Sequence, residues 1–165
     1  MALITEIGSG SALSESLCSV EVADAYFSGI GNVGWDALSL LQKEQALRKA
    51  TNYMEQVYKP QWQGLRVNNT QALDWPRVGV TANGYYALSD IVPLPVQRAC
   101  AELSLKSTLG ELLKDTTQQK LSSTVGSIAV TYDKYSPQAK QFKAVEAMLA
   151  PYFVSCSSIV HRIER

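Results

Sequence analysis

The chain has 165 residues, of which 46% are hydrophobic and 18% charged, so its length and composition fit one globular domain with an ordinary core. Its 15 basic and 15 acidic residues give a net charge of zero, which excludes a globally basic nucleic-acid-binding protein. Three cysteines without a Cys-x-x-Cys pair argue against a disulfide framework and a zinc ribbon. No apolar run approaches the ~18 residues of a membrane span, so we expect no membrane contact.

The charges are unevenly distributed along the chain. Residues 1–42 hold five acidic residues and no basic one, for a net charge of −5, and residues 43–165 carry +5. Two interpretations are open. Opposite charges on two parts of the chain attract other copies head to tail, as in a ring, or the two segments pair within one molecule. The absence of basic residues before Lys43 argues against a secretory signal peptide, so we expect a reducing cytoplasmic environment.

The first 19 residues are small, polar and rich in glycine and serine. Leu3 and Ile4 are among their few apolar residues and lie in a short predicted strand over residues 2–6. Such a composition predicts an extended N-terminal arm that needs another surface to pack against.

Capping signals predict two helices in the first third of the chain. Ser19 caps a short helix over residues 20–28, which glycines end. Ser39 and Gln42 form a capping box at the start of a longer amphipathic helix over residues 40–58, which a proline ends.

Residues 59–93 are the least regular part of the predicted fold. They show no helical pattern but contain two tryptophans, two tyrosines, three glycines and three prolines. Asn83 and Gly84 mark a turn within them. A loop this long is unusual inside a compact domain unless it forms a binding surface or its own aromatic residues hold it in place. Both interpretations are open from sequence alone.

A third helix and a hairpin are predicted next. Pro95 is the first residue of a helix over residues 95–113, whose apolar residues recur at helical spacing. The β-branched run around Gly126 and Ser127 predicts a hairpin over residues 120–133. An isolated hairpin is marginally stable in water, so this one must lie on the helices or on another copy of the chain.

Ser136 and Pro137 begin a fourth predicted helix, which Pro151 ends. Residues 154–165 are too short to fold alone and form a predicted tail that becomes ordered on a partner. The predicted fold is therefore mainly α: a four-helix bundle-like domain over residues 1–153, with a small β-hairpin, an extended arm and a C-terminal tail.

The chain offers little for catalysis. His161 is its only histidine, which excludes histidine-based triads and zinc sites built on several imidazoles. Glu21 with Asp24, and Asp74 with Asp90, are the carboxylate pairs that could serve acid–base hydrolysis, but such spacings are common on solvated faces. We expect no enzymatic activity, no cofactor and no metal site.

Single-strand binding is the better-supported specific chemistry, because grooves for single strands combine cations with aromatic platforms. Aromatic and basic residues alternate in one segment of this chain: Tyr58, Lys59, Trp62, Arg66, Trp75, Arg77, Tyr85 and Tyr86. The competing interpretation is that Trp62 and Trp75 are buried and hold the long loop on the helices. With zero net charge and only three bases in this segment, the competing interpretation is favoured.

The order of these features resembles a known family, the head–tail connector (adaptor) proteins of tailed phages, which are often labelled DnaT-like single-stranded DNA-binding. The resemblance covers residues 1 to about 153. The matching motifs are Ser-Val-x-x-Ala-Asp-Ala-Tyr at 19–26, Gly-x-x-x-Trp at 31–35, Lys-Glu-x-Ala-Leu-Arg-x-Ala-Thr-x-Tyr at 43–53, Gln-Ala-Leu-x-Trp-Pro-Arg at 71–77 and Val-Pro-x-x-Val-x-x-Ala near Pro93.

The resemblance implies a structural virion protein located in the neck, present in the host cytoplasm during assembly. It implies a homo-oligomeric ring, commonly of twelve copies, that binds the portal protein, extends the DNA channel and docks a further neck or tail protein. Packaged DNA could contact such a ring transiently, and the family has no catalytic residues to carry over. A single-stranded DNA-binding protein of replication is the alternative.

The candidate subunit and partner contacts belong to the arm, the long loop, the hairpin and the tail. They are Leu3, Ile4, Trp62, Arg66, Trp75, Arg77, Tyr85, Val125, Ile128, Ile159 and Ile163.

Overall fold

The computed structural model describes residues 2–113 and 141–154, together with the strands 122–125 and 128–131. The α-helices are α1 (Val20–Gly29), α2 (Val33–Asp36), α3 (Leu40–Val57), α4 (Leu94–Thr108) and α5 (Lys143–Leu149). The strands are β1 (Leu65–Arg66), β2 (Arg77–Val78), β3 (Thr81–Ala82), β4 (Tyr85–Tyr86), β5 (Ser122–Val125) and β6 (Ile128–Thr131). Each strand pairs antiparallel with its neighbour in sequence, which gives three two-stranded sheets. Because these sheets are small and the helices are longer, the predicted mainly α class is confirmed. None of the described helices has both the length and the hydropathy that crossing a bilayer requires.

The first two predicted helices form because their capping side chains satisfy the free amides at their N-termini. The Ser19 hydroxyl accepts from the Val22 amide at the start of α1. At the start of α3, Ser39 Oγ accepts from the Gln42 amide, and Gln42 Oε1 accepts from the Ser39 amide at 2.8 Å. Both helices therefore lie where the capping signals predict them.

The third predicted helix ends earlier than its leucine spacing indicates. α4 begins at Leu94 and ends at Thr108, and its C-cap Leu109 is 86% exposed. Gly110 follows with a φ of 151°, a backbone conformation suited to glycine, and the chain leaves the helix there. Leu112, which follows the end of α4, is nevertheless buried in the core. The apolar spacing of a helix therefore continues past the last helical residue. The predicted end at residue 113 is wrong for this reason.

The hairpin predicted over residues 120–133 is confirmed as β5 and β6, with Val125 paired to Ile128. α5 is preceded by two non-helical residues, 141 and 142, and the predicted cap at Ser136 and Pro137 lies outside the described residues. A 3₁₀ turn over Ala150–Tyr152, which contains the predicted terminator Pro151, follows α5. The predicted tail lies outside the described residues beyond 154.

The core forms where α3 packs along α4, with α1 and α5 against α4. Buried apolar side chains from all five helices supply it, together with residues of the long loop. The largest of those without measurable exposure are Phe27, Trp35, Leu47, Met54, Trp75, Val80, Val96, Leu103, Val145 and Leu149. The helices therefore enclose a single core into which the loop inserts side chains.

The N-terminal segment folds back onto its own domain. Thr5 and Ser16 pair as an isolated parallel bridge, and the Leu17 amide donates to Thr51 Oγ1 of α3 at 3.2 Å. The prediction of an extended arm that needs another surface is wrong, because α3 supplies that surface and the segment forms hydrogen bonds with itself.

A buried carboxylate organises this segment. Glu6 is 3% exposed, and its two carboxylate oxygens accept from the amides of Gly8 (2.8 Å), Gly10 (3.0 Å) and Ser11 (2.9 Å) and from the Ser14 hydroxyl (2.8 Å). Burial raises the pKa of Glu6, but these hydrogen bonds outweigh it and hold that pKa below the usual value for glutamate. The loop thus folds around an ionised side chain.

The opposite charges of the two parts of the chain meet inside one molecule. Glu15 pairs with Arg48 of α3 at 2.8 Å. One oxygen of Asp24 accepts from Lys43 Nζ at 2.9 Å and from the Trp35 indole at 2.6 Å. These contacts support internal pairing as the role of the uneven charge and leave fewer free acidic groups to attract another copy.

Candidate nucleic-acid interface

The two tryptophans of the aromatic and basic segment lie in the core. Trp62 is 5% exposed and Trp75 0%, and their rings meet edge to face with centroids 5.6 Å apart. Trp75 also contacts Tyr152 at 5.7 Å, and Trp62 contacts Phe153 at 5.0 Å. They therefore hold the long loop against the C-terminal elements, and their predicted role as partner contacts is wrong because no ligand can reach their faces.

The two arginines of the same segment bind the loop backbone. The Arg77 guanidinium donates to the carbonyls of Gln63 (2.7 Å), Gly64 (2.8 Å) and Asp74 (3.1 Å). Arg66 donates to two further loop carbonyls, those of Gln71 and Leu73. Short strands leave such carbonyls without ladder partners, and the guanidinium donors satisfy them. Arg77 is only 8% exposed. Its guanidinium is therefore not available to a phosphate, contrary to the prediction.

An acidic pair anchors this loop to α3. Glu55 Oε1 accepts from the Asp74 amide at 2.8 Å. Burial raises the pKa of Glu55 to about 7, and the nearby Asp74 carboxylate acts in the same direction. The described residues hold no group of three or more His, Cys, Asp and Glu suited to a metal ion.

Glu55→Gln is expected to stabilise the protein at alkaline pH. A carboxyl whose folded pKa lies above its unfolded value stabilises the fold below the unfolded pKa, and that contribution is lost as pH rises through about 7. Glutamine keeps an oxygen for the Asp74 amide and cannot ionise. Urea unfolding should show little difference from wild type near pH ~5 and a higher free energy of unfolding near pH ~8.

Asp36→Asn, which removes an exposed carboxylate, is the control for that measurement. Its effect should be the same at both pH values. An equal effect of Glu55→Gln at both pH values would contradict the assignment of the raised pKa.

The two tyrosines of the segment are its exposed members. β3 and β4 form a short hairpin, Thr81–Tyr86, which we call the tyrosine ribbon. Tyr85 is 80% exposed and Tyr86 82%. Asn83 and Gly84 link the strands with φ values of 53° and 85°, the left-handed conformations of a tight hairpin turn. Because neighbouring residues of a strand point to opposite faces, the ribbon presents one ring on each face.

The base of the tyrosine ribbon is firmly held. The Thr81 amide donates to Gln63 Oε1 at 3.1 Å. Gln63 Nε2 donates in turn to the carbonyls of Pro151 (3.1 Å) and Phe153 (2.8 Å), and β3 lies against the 3₁₀ turn that contains Pro151. The ribbon thus projects two rings into solvent from a fixed base, an arrangement suited to stacking on unpaired bases.

The other predicted contacts do not form one surface around the ribbon. Leu3 is half-buried and its amide donates to Glu44 of α3 at 3.3 Å, whereas Ile4 is 45% exposed. Val125 and Ile128 pair across the β5–β6 hairpin. Ile159 and Ile163 lie outside the described residues. Sequence reasoning identified Tyr85 and Tyr86 as aromatic members of the segment, and its favoured interpretation of Trp62 and Trp75, that they are buried and hold the loop, is confirmed.

Comparison with known proteins gives one family. The sequence matches, over residues 1–165, the family described as "Putative DnaT-like ssDNA binding protein". Neither the curated proteins nor the solved structures include a match. The assignment to a virion as a head–tail connector of the phage neck is wrong, because the match names single-stranded DNA binding and no virion component. The portal protein, the further neck or tail protein and the ring of twelve copies stay predictions. The chain belongs to the family of DnaT-like single-stranded-DNA-binding proteins.

Proposed function

We propose that this protein binds single-stranded DNA through the tyrosine ribbon. The observation that carries the proposal is the exposure of Tyr85 and Tyr86, at 80% and 82%, on a hairpin whose base is fixed by hydrogen bonds. Aromatic rings held in solvent on a fixed element supply the stacking platforms that single-strand binding uses. Membership of the family supports the same chemistry.

The ribbon binds by stacking more than by charge. Stacking of a base on an aromatic side chain contributes roughly 1–3 kcal/mol and tolerates any base, since each base has a π-face. The net charge is zero, and Arg66 and Arg77 already donate to backbone carbonyls. Lys59 is the exposed cation of the aromatic and basic segment. We therefore expect affinity to fall only shallowly with salt, with a logarithmic slope of about −1 for one or two phosphate contacts.

Unpaired bases are the proposed substrate because their faces are free to stack on the two rings of the ribbon. In a duplex the faces of the bases are covered by their neighbours, and a flat ribbon can stack only after those neighbours separate. A single strand offers its faces without that cost. Stacking on the ribbon therefore selects single-stranded DNA without regard to its sequence.

Tyr85→Ala/Tyr86→Ala is expected to weaken binding to a fluorescently labelled dT12 oligonucleotide by at least about tenfold, because two stacking faces are lost. Anisotropy titration at low salt measures this loss. Tyr85→Phe/Tyr86→Phe keeps both rings and should bind like wild type. Because the two side chains lie in solvent, the alanine variant should unfold at the wild-type urea concentration.

Two results would contradict the proposal. One is a wild-type protein that shows no anisotropy change with dT12 at low salt. The other is an alanine variant that binds dT12 as tightly as wild type, which would place the DNA elsewhere.

A further inference from the structure

A stripe of polar side chains runs along the exposed side of α3. Gln42, Gln45, Lys49, Asn52 and Gln56 follow one another at alternating steps of three and four residues, which places them on one face of the helix. All five are exposed. With a rise of 1.5 Å per residue, the stripe extends over about 21 Å.

This stripe forms one wall of a long groove between α3 and the end of α4. A hollow of about 520 Å³ lies beside Lys49, Asn52 and Gln56. A second hollow of about 250 Å³ lies beside Gln42 and Gln45. Lys49, Ser107 and Thr108 line both hollows, so the two lie next to each other, and we call them together the amide groove.

The other side of the larger hollow is partly apolar. Tyr53 and Leu112, both less than 10% exposed, contribute to its lining, together with the more exposed Leu113. Glu111 lies in the same lining as Lys49, so the formal charge of this hollow is balanced. A volume of about 520 Å³ is typical of pockets for organic ligands with an apolar body and polar edges.

Apart from Gln42, whose carboxamide caps α3, the side chains of the stripe are not used by the described part of the fold. Gln45, Lys49, Asn52 and Gln56 form no side-chain hydrogen bond or ion pair with another described residue. The side-chain amides of Gln63 and Gln71, in contrast, are engaged with backbone groups of the long loop and of the C-terminal elements. A free carboxamide offers one acceptor and two donors in a plane, the pattern that matches the edge of a nucleobase.

We propose that the amide groove is a second contact surface for single-stranded DNA, in which the carboxamides of Gln45, Asn52 and Gln56 hydrogen-bond base edges. The inference rests on the function proposed for the tyrosine ribbon. Bases are favoured over phosphates as the ligand, because the larger hollow has one cation and a carboxylate in its lining. The ribbon stacks on any base, whereas the groove adds hydrogen bonds that distinguish one base from another.

The test compares a groove variant with the ribbon variant. Gln45→Ala/Asn52→Ala/Gln56→Ala changes three exposed helical positions to the residue with the highest helix propensity, so the fold should be kept. Anisotropy titration with labelled dA12 should show about tenfold weaker binding, since a bidentate amide–adenine pair is worth about that much or more. A 12-residue abasic strand offers no base to the groove or to the ribbon, so any weak binding of its backbone should be the same for the variant and for wild type. Asn69→Ala, which removes an exposed amide outside the groove, is the matched control.

The outcomes separate this inference from the function on which it rests. If wild-type protein binds no oligonucleotide, the proposed function fails. If the ribbon variant loses affinity while the groove variant binds dA12 like wild type, the proposed function stands and the inference is overturned, which leaves the groove to another ligand such as an extended peptide. Equal losses on dA12 and on the abasic strand would overturn base-edge recognition.

Discussion

Trp75→Ala is expected to be strongly destabilising, with a loss of about 3–5 kcal/mol in the free energy of unfolding. Trp75 has no exposed surface and packs edge to face on Trp62 and Tyr152. Its removal leaves a cavity where the long loop meets the C-terminal elements. Domains of this size are stable by only about 5–15 kcal/mol, so the loss consumes much of the total.

Urea unfolding followed by circular dichroism measures this effect. Trp75→Phe keeps part of the ring and should lose less, which yields a folded variant even if the alanine variant cannot be purified. Tyr85→Ala, which removes an exposed ring from the same loop, is the matched control and should leave the unfolding midpoint unchanged. A folded Trp75→Ala protein that has lost only DNA binding would contradict the buried position and favour a stacking role for this tryptophan.

Glu6→Gln is expected to destabilise the protein by roughly 2–4 kcal/mol at neutral pH. The carboxylate accepts four hydrogen bonds of 2.8–3.0 Å, two on each oxygen. A glutamine NH₂ group in place of either oxygen faces two donors and can accept from neither. Two charge-assisted hydrogen bonds are therefore lost, and their donors are left buried.

The pH dependence identifies the charge as the cause. The folded pKa of Glu6 lies below its unfolded value, so the stabilisation is fully present above the unfolded pKa and is lost as pH falls through the folded pKa. The difference in free energy of unfolding between wild type and Glu6→Gln should therefore shrink in acid. Asp36→Asn, which removes an exposed carboxylate in α2, should have little effect. A constant difference across this pH range would contradict the role of the ionised carboxylate.

Local signals were sufficient for much of the fold. The capping side chains of Ser19 and Ser39 act within one helical turn, so the sequence pattern alone places the starts of α1 and α3. The β5–β6 hairpin is likewise a local structure. The end of α4 was missed because Leu112 reaches the core from a non-helical segment, which leucine spacing does not distinguish from a further turn of helix.

The candidate site was only partly predictable. The aromatic and basic segment is visible in the sequence, but which of its rings faces solvent depends on contacts with Tyr152 and Phe153, far along the chain. The sequence predicted α3 as an amphipathic helix, but it did not single out the stripe of Gln42, Gln45, Lys49, Asn52 and Gln56. Its significance depends on the hollow beside it, which forms only when α3 packs on α4.

The burial of all three tryptophans has a practical consequence for anyone who follows this protein by intrinsic emission. Trp35 lies beside α1, whereas Trp62 and Trp75 lie under the long loop, and none is more than 5% exposed. Indole fluorescence should therefore monitor the integrity of two separate regions of the molecule. It should remain silent when an oligonucleotide docks on the surface, so a flat emission titration is no evidence against binding.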